Sequence, residues 1–425
     1  MKKTLLLSVV ASTMIMAGGD IAPVEPVVEA PVEVASWDFS GQAVAYYQTI
    51  DDQGTGDLFS GSSTYGSLGL QLRATNADVM WGIGAGAEVS AIKQDDGFSS
   101  NMTGGNAQTD SAELTQAYLT YGMDSINTSL KVGRQTLPKS LSPFAFSEGW
   151  QVFKNTFDAA LVVNSSLPNT TLVYAYVTGA NRSVGPIDNF SDISAFPGVI
   201  NAEDNVHMVT AQNKSFENLT LTGSYYFAAN MTSDAGIPNG GDTQLWWLDG
   251  TYKAESFTVA LQGGQVMPDG VDDTSAFGAK IAGNLGGFGL ALAYSSVDDG
   301  VVPVYNMGTN VKTPLYTQSI LNQNTISLDS DTIKASATMK ALGGGFGLHY
   351  IYSDLGSAAR GSVFNNGNVE AGGSATGTGE YSELDLTYKT KVSENTTVFA
   401  GYVWQDDDRL VDSQNFLRFW ARYNF

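Results

Sequence analysis

Few residues in this chain are equipped for covalent chemistry. It has two histidines, His207 and His349, distant from each other and outside any His-Glu-x-x-His pattern, and it has no cysteine. That removes thiol nucleophiles, zinc fingers and disulfide frameworks together. There is no Gly-x-Ser-x-Gly elbow. The glycine-rich pieces Gly82–Gly86 and Gly286–Gly289 lack the strand-to-helix context of a nucleotide loop. Glu383 and Asp385 sit two residues apart beside Lys389 and read as ion pairs on one strand face. The chain is therefore expected to be no enzyme and to need no cofactor.

What the charged residues can do is steer ions. Arg73, Lys131, Lys154, Lys280, Lys334, Lys340, Lys389, Arg418 and Arg422 all fall opposite the apolar phase of their stretches. So do Glu88, Glu113, Asp158, Glu383 and Asp385. A Lys or Arg turned toward lipid at mid-depth costs about 2–4 kcal/mol, so this phase puts both sets on the inner wall of a membrane barrel. Many charges inside a wall call for water around them, because unpaired buried ions are strongly disfavoured. The expectation is a water-filled passage of mixed charge. His349 shares that inner phase, as do Tyr118, Tyr226, Phe416 and Trp420.

The elements that carry these residues show period two. From Val79 to Ala91 the odd positions are apolar and the even ones, Met80 aside, are small or polar. Leu68, Leu70, Leu72 and Ala74 alternate with Gly69, Gln71 and Arg73; Ile333, Ala335, Ala337 and Met339 alternate with Lys334, Ser336, Thr338 and Lys340. One apolar and one wet face is the signature of a half-buried strand. Eighteen such stretches start near 37, 63, 78, 111, 126, 150, 170, 205, 218, 243, 256, 274, 287, 331, 344, 380, 395 and 414. Their connections alternate short and long: turns near 76–77, 122–125 or 342–343, loops near 93–110, 179–204 or 297–330. Outer-membrane barrels have this asymmetry, and β-sandwiches have no reason for it. The fold class predicted is all-β: a transmembrane antiparallel β-barrel of about eighteen strands, with short periplasmic turns and long extracellular loops.

The formal charge of −22 argues against nucleic acid as a partner. The acids concentrate in the long loops, which keeps those loops solvated. Asp51-Asp52, Asp272-Asp273 and Asp406-Asp407-Asp408 could also gather a divalent cation bridging to lipopolysaccharide, although none matches a calcium-loop pattern. Residues 1–19, with Lys2, Lys3 and a short apolar run, have the layout of a cleaved signal peptide. Residues 20–36, rich in Pro, Val and Glu, read as an extended periplasmic tail, and 37–425 as the barrel. At the end of the chain Phe419, Tyr423 and Phe425 share one strand face, which resembles the signal read by the barrel-assembly machinery.

The stretch 130–164, LKVGRQTLPKSLSPFAFSEGWQVFKNTFDAALVVN, resembles the corresponding segment of Opr-type outer-membrane porins. That family includes the major porins of campylobacter-like bacteria and is distantly similar to porin D. The resemblance covers about 37–180 and the C-terminal strand. It implies an eighteen-stranded passive channel in the bacterial outer membrane, often a homotrimer, with infolded loops and a basic wall ladder. Gly133-Arg134-Gln135 and Pro138 match the lead into the third outer loop. The function expected is a diffusion porin for ions and small hydrophilic solutes. A loop-gated substrate-specific channel and a surface or adhesion β-protein without a pore are the alternatives.

Overall fold

The computed structural model describes residues 36–51, 57–94, 111–149, 152–181, 190–191, 201–202, 205–232, 241–309, 312–321, 323–359, 377–410 and 413–425. The expected leader 1–19 and the tail as far as residue 35 lie outside the described residues.

Eighteen strands form the wall: β1 (Asp38–Asp51), β2 (Thr64–Met80), β3 (Ile83–Gln94), β4 (Ser111–Met123), β5 (Thr128–Gln135), β6 (Phe157–Asn164), β7 (Thr170–Asn181), β8 (Val206–Phe216), β9 (Leu219–Thr232), β10 (Gly241–Lys253), β11 (Phe257–Pro268), β12 (Thr274–Leu285), β13 (Phe288–Val297), β14 (Ser330–Ala341), β15 (Gly344–Leu355), β16 (Gly379–Lys391), β17 (Thr396–Asp407) and β18 (Gln414–Asn424). Two further strands, Phe190–Ser191 and Asn201–Ala202, are only two residues long. Each wall strand pairs antiparallel with the next, and β18 pairs with β1 from Gln42↔Asn424 to Asp51↔Asn415. The sheet is thus a closed barrel. Gly41 and Phe425 finish the seam by exchanging backbone hydrogen bonds of 2.8 and 3.0 Å.

Alternation sets the two faces. Leu292 on β13 is 53% exposed on the outer face, while the next residue, Ala293, is 4% exposed inside. Leu68, Leu70 and Leu72 on β2 and Ile333 and Met339 on β14 face outward in the same way. Among the described residues no helix is long and apolar enough to cross a membrane.

Three expectations are corrected. The β2–β3 turn lies at Trp81–Gly82, not 76–77, so Val79–Ala91 is the end of one strand and the start of the next. Trp81 and Gly82 both have positive φ, 56° and 81°, which makes the hairpin reversal; alternation carried across a two-residue turn hides it. The strand expected near 150 begins at Phe157, so Lys154 belongs to the 136–156 loop rather than to the wall. Asp158 was expected inside, yet its neighbours Phe157 and Ala159 are the buried ones. Asp158 takes the other face, in a two-pronged ion pair with Arg134 at 2.9 and 3.1 Å. Arg134, within β5 and paired with Ala117 and Asp158, keeps the outward phase of its strand.

The two faces predict opposite responses to one substitution. Leu292→Lys should lower stability in vesicles by about 2–4 kcal/mol. Ala291→Lys, on the partly open inner face, should lower it far less. Urea unfolding in bilayers measures both.

Candidate functional site

Two of the long loops fold into the barrel. The 136–156 loop turns back at Pro138, whose carbonyl accepts from the amides of Leu141 and Ser142. It then drives Phe144 inward, edge-on to Tyr226 and Trp247 at 5.6 and 5.5 Å. Its far end sets Val152 and Phe153 against Gly69, where a Cβ would fall 2.6 Å from Val152. A glycine there is what lets the loop reach the wall.

The 298–329 loop runs across the inner face of β10 to β16. Tyr316 donates to Asp249 on β10, and Thr317 meets Ser295 on β13 at 2.5 Å. Lys334 on β14 donates to the carbonyl of Gln318 at 2.6 Å. Ser319 donates to Asp385, and the Leu321 amide to Glu383 at 2.7 Å. Tyr381 supports Glu383 from behind at 2.6 Å. Burial and the neighbouring Asp249 carboxylate both push the Tyr316 hydroxyl to a higher pKa.

The loops clasp each other. Asn306 donates to the Phe146 carbonyl at 2.8 Å and accepts from the Phe146 amide at 3.1 Å. It also donates to Glu148 at 2.8 Å, and Thr309 and the Lys312 amide add donors to the same carboxylate oxygen. Glu148 is buried, and burial pushes its carboxyl above the ordinary 4.5 against the opposing pull of Lys312 and these donors. Apolar contacts fill the rest: Leu137, Phe144, Val302, Val304 and Met307 join one buried cluster with the inner faces of β6 to β13. Val152, Phe153, Ile320 and Leu321 join another with β1, β2, β3, β17 and β18.

The lumen is therefore not the uniformly wet passage the inward charges suggested. Where the loops lie, buried charges are met by loop backbone and hydroxyls: Lys334, Glu383 and Asp385 are at most 3% exposed, and only one Asp385 oxygen, Oδ1, is left without a hydrogen-bond partner among them. Arg418, fully buried, lies 5.0 Å from the rings of Tyr46 and Phe416 and donates to Gln48 at 2.8 Å. Toward the short turns the inner face is more open. There Arg73 pairs with Glu88 at 2.6 Å, and Glu88 also accepts from Gln71, Thr115 and Gln116. Lys131 lies 3.7 Å over Tyr118, Lys280 4.8 Å over Tyr316 and Lys389 5.5 Å over Trp420. Lys340 is exposed. Arg422 donates to Gln42 at 2.5 Å and to the Val152 carbonyl at 3.1 Å, tying the wall to the first loop. Glu113 is on the inner face beside Ser90. Lys154 is partly buried in its loop. Glu383 and Asp385 neighbour Lys334 and the loop tip rather than Lys389. His349 is buried inside, whereas His207 is outside, 2.9 Å from the Tyr174 hydroxyl. Phe419, Tyr423 and Phe425 face outward. Among the described residues, no group of three His, Cys, Asp or Glu side chains is arranged to hold a metal.

Glu148, Asn306 and Tyr316 were not singled out from sequence. Their signal was apolar content in loops expected to be solvated: Val301, Val302, Val304, Leu315, Ile320 and Leu321 have no place in water.

No protein-family model matches the chain, and no curated protein matches it significantly. Solved structures do. Acinetobacter baumannii OccAB3 is 14% identical, with a TM-score of 0.70, over 92% of this chain and 100% of its own. Pseudomonas aeruginosa OccK8 (OprE) is 12% identical, with 0.69 over 92% and 98%. Pseudomonas aeruginosa OccK2 (OpdF), solved in complex with glucuronate, is 14% identical, with 0.67 over 92% and 96%. The likeness shows that the closed eighteen-stranded barrel is shared.

The Glu148 clasp predicts a pH response. Its raised pKa favours the neutral carboxyl, so the clasp is strongest in acid, below about 4.5, and weakens as pH rises through the raised value. Single-channel conductance should climb across that window, and Glu148→Gln should flatten the climb.

Proposed function

We propose that this chain is an outer-membrane porin, a passive channel for ions and small hydrophilic solutes, and that it performs no catalysis. The observation that carries the reading is the pairing of a closed barrel, apolar outside, with two loops folded into its lumen. A β-protein that only displayed its surface would have no use for loops packed inside its own wall. The leader-like residues 1–19, the resemblance of 130–164 to Opr-type porins and the outward Phe419, Tyr423 and Phe425 support export, with insertion by the barrel-assembly machinery. A homotrimer, and divalent cations joining the acidic loops to lipopolysaccharide, belong to the same reading.

The mechanism is a size limit plus a field. The 136–156 and 298–329 loops set the size limit. Arg73, Lys131, Lys280, Lys340, Lys389 and Arg422, on the more open half of the wall, raise the local concentration of anions. Glu88 and Asp249 oppose them. Small carboxylates are therefore favoured solutes, a reading in keeping with the glucuronate complex of OccK2. The tightness of the loop packing favours the substrate-selective form of this channel over a wide general pore.

Arg73→Ala with Arg422→Ala should shift the reversal potential toward cation selectivity in a salt-gradient bilayer recording. An unchanged potential would remove those two residues from the field. Arg418→Ala should instead lower stability, since Arg418 is packed between rings and does not face the open half.

A further inference from the structure

We infer that the short turns form a lipid-binding rim, with their apolar tips buried in the headgroup region of the inner leaflet. This rests on reading the chain as a membrane barrel. Five of the eight connections at that end carry an exposed large apolar side chain, Trp81, Ile126, Leu167, Leu342 and Val392, and at two more an exposed Phe216 or Leu285 ends the strand that enters the turn. Leu342 and Trp81 are more than four-fifths exposed.

Two of these tips are held in a backbone conformation that disfavours them. Trp81 has φ 56° and Leu342 φ 52°, where bulky side chains are outliers. Equivalent positions in this barrel use the relaxed solution: Asn127, Asn169 and Asn218 sit at φ 45°, 53° and 60°, and Gly286 at 58°. The strand geometry therefore tolerates Asn or Gly at such sites. Strain kept at a particular site points to a use for the residue that bears it.

The height of the apolar wall supplies the use. On β14 the outward apolar run from Ile333 to Met339 climbs about 20 Å along the strand and, at a tilt near 40°, about 15 Å along the barrel axis. The apolar band of an outer-membrane barrel is about 25 Å tall. At the far end the run is stopped by Asp331, which accepts from the Tyr294 hydroxyl at 2.6 Å. The turn side can supply the missing height: Leu342, the exposed tip just beyond Ala341, brings the apolar span to roughly 23 Å. Val392 extends the β16 run through Leu384, Leu386 and Tyr388 in the same way, and Leu285 extends β12 beyond Phe277 and Ile281. The tips thus continue the lipid-facing surface, and phospholipid is the partner that fits them.

The test uses the full-length protein in phospholipid vesicles. The emission of Trp81 is read as the difference between wild type and Trp81→Asn. Leu342→Trp in the Trp81→Asn background, read against that background, reports the second tip. Both difference signals should lose most of their intensity when the vesicle lipid carries bromines near the glycerol end of its acyl chains. Both should be unaffected by iodide in the water. Quenching of either signal by iodide, with no effect of brominated lipid, overturns the rim. Salt-gradient currents from the same vesicle protein tell the two readings apart. Conducting protein with iodide-quenched tips sinks the rim alone; non-conducting protein sinks the channel.

Discussion

Backbone pairing is the constraint from which the rest of this molecule follows. In a bilayer, unpaired amide and carbonyl groups are costly, so a sheet that crosses must have no edge. The ten-residue register between β1 and β18, sealed by Gly41 and Phe425, removes that edge. Once the sheet is closed, alternation has only one consequence: each strand gives one row of side chains to lipid and one to the lumen. Arg73 and Leu72 are adjacent in sequence and separated by the thickness of the wall.

Closure also creates the problem that the two infolded loops address. An eighteen-stranded cylinder is wide enough to leave an aqueous channel, and a channel without a constriction selects little. The 298–329 loop crosses the inner wall with one polar anchor after another, from Asp249 to Glu383. The 136–156 loop approaches from the opposite side and meets it at Asn306 and Glu148. Buried charges are compensated locally: Asp385 by Ser319, Glu383 by Tyr381 and the Leu321 amide, Lys334 by the Gln318 carbonyl. The polarity of these contacts makes the loops an attachment to the wall rather than an extension of it.

The wall was legible in the sequence because its signal repeats. Each strand states its own phase, and most strand starts fall within a few residues of those read from alternation. Misreadings came where the local rule was silent. Trp81–Gly82 turns the chain without interrupting the alternation. Lys154 has the right phase but no strand beneath it, and Asp158 is decided by a partner, Arg134, more than twenty residues away. The candidate site was only half legible. Which charges face inward follows from period two; which of them a loop covers is a long-range matter. Asn306 reaches Phe146 across 160 residues of sequence, and nothing local to either announces it. The valines and leucines of 301–321 were the available hint, since apolar side chains in a loop need something to cover them.

Single-channel current across a planar bilayer holding the purified wild-type protein tests the central claim most directly. A closed cylinder narrowed by two loops should give discrete steps of uniform size. Those steps should grow when Gly69→Phe displaces Val152 and Phe153 from the wall. A bilayer that stays electrically sealed at every protein concentration would contradict a conducting lumen. Steps unchanged by Gly69→Phe would contradict the loops as its constriction.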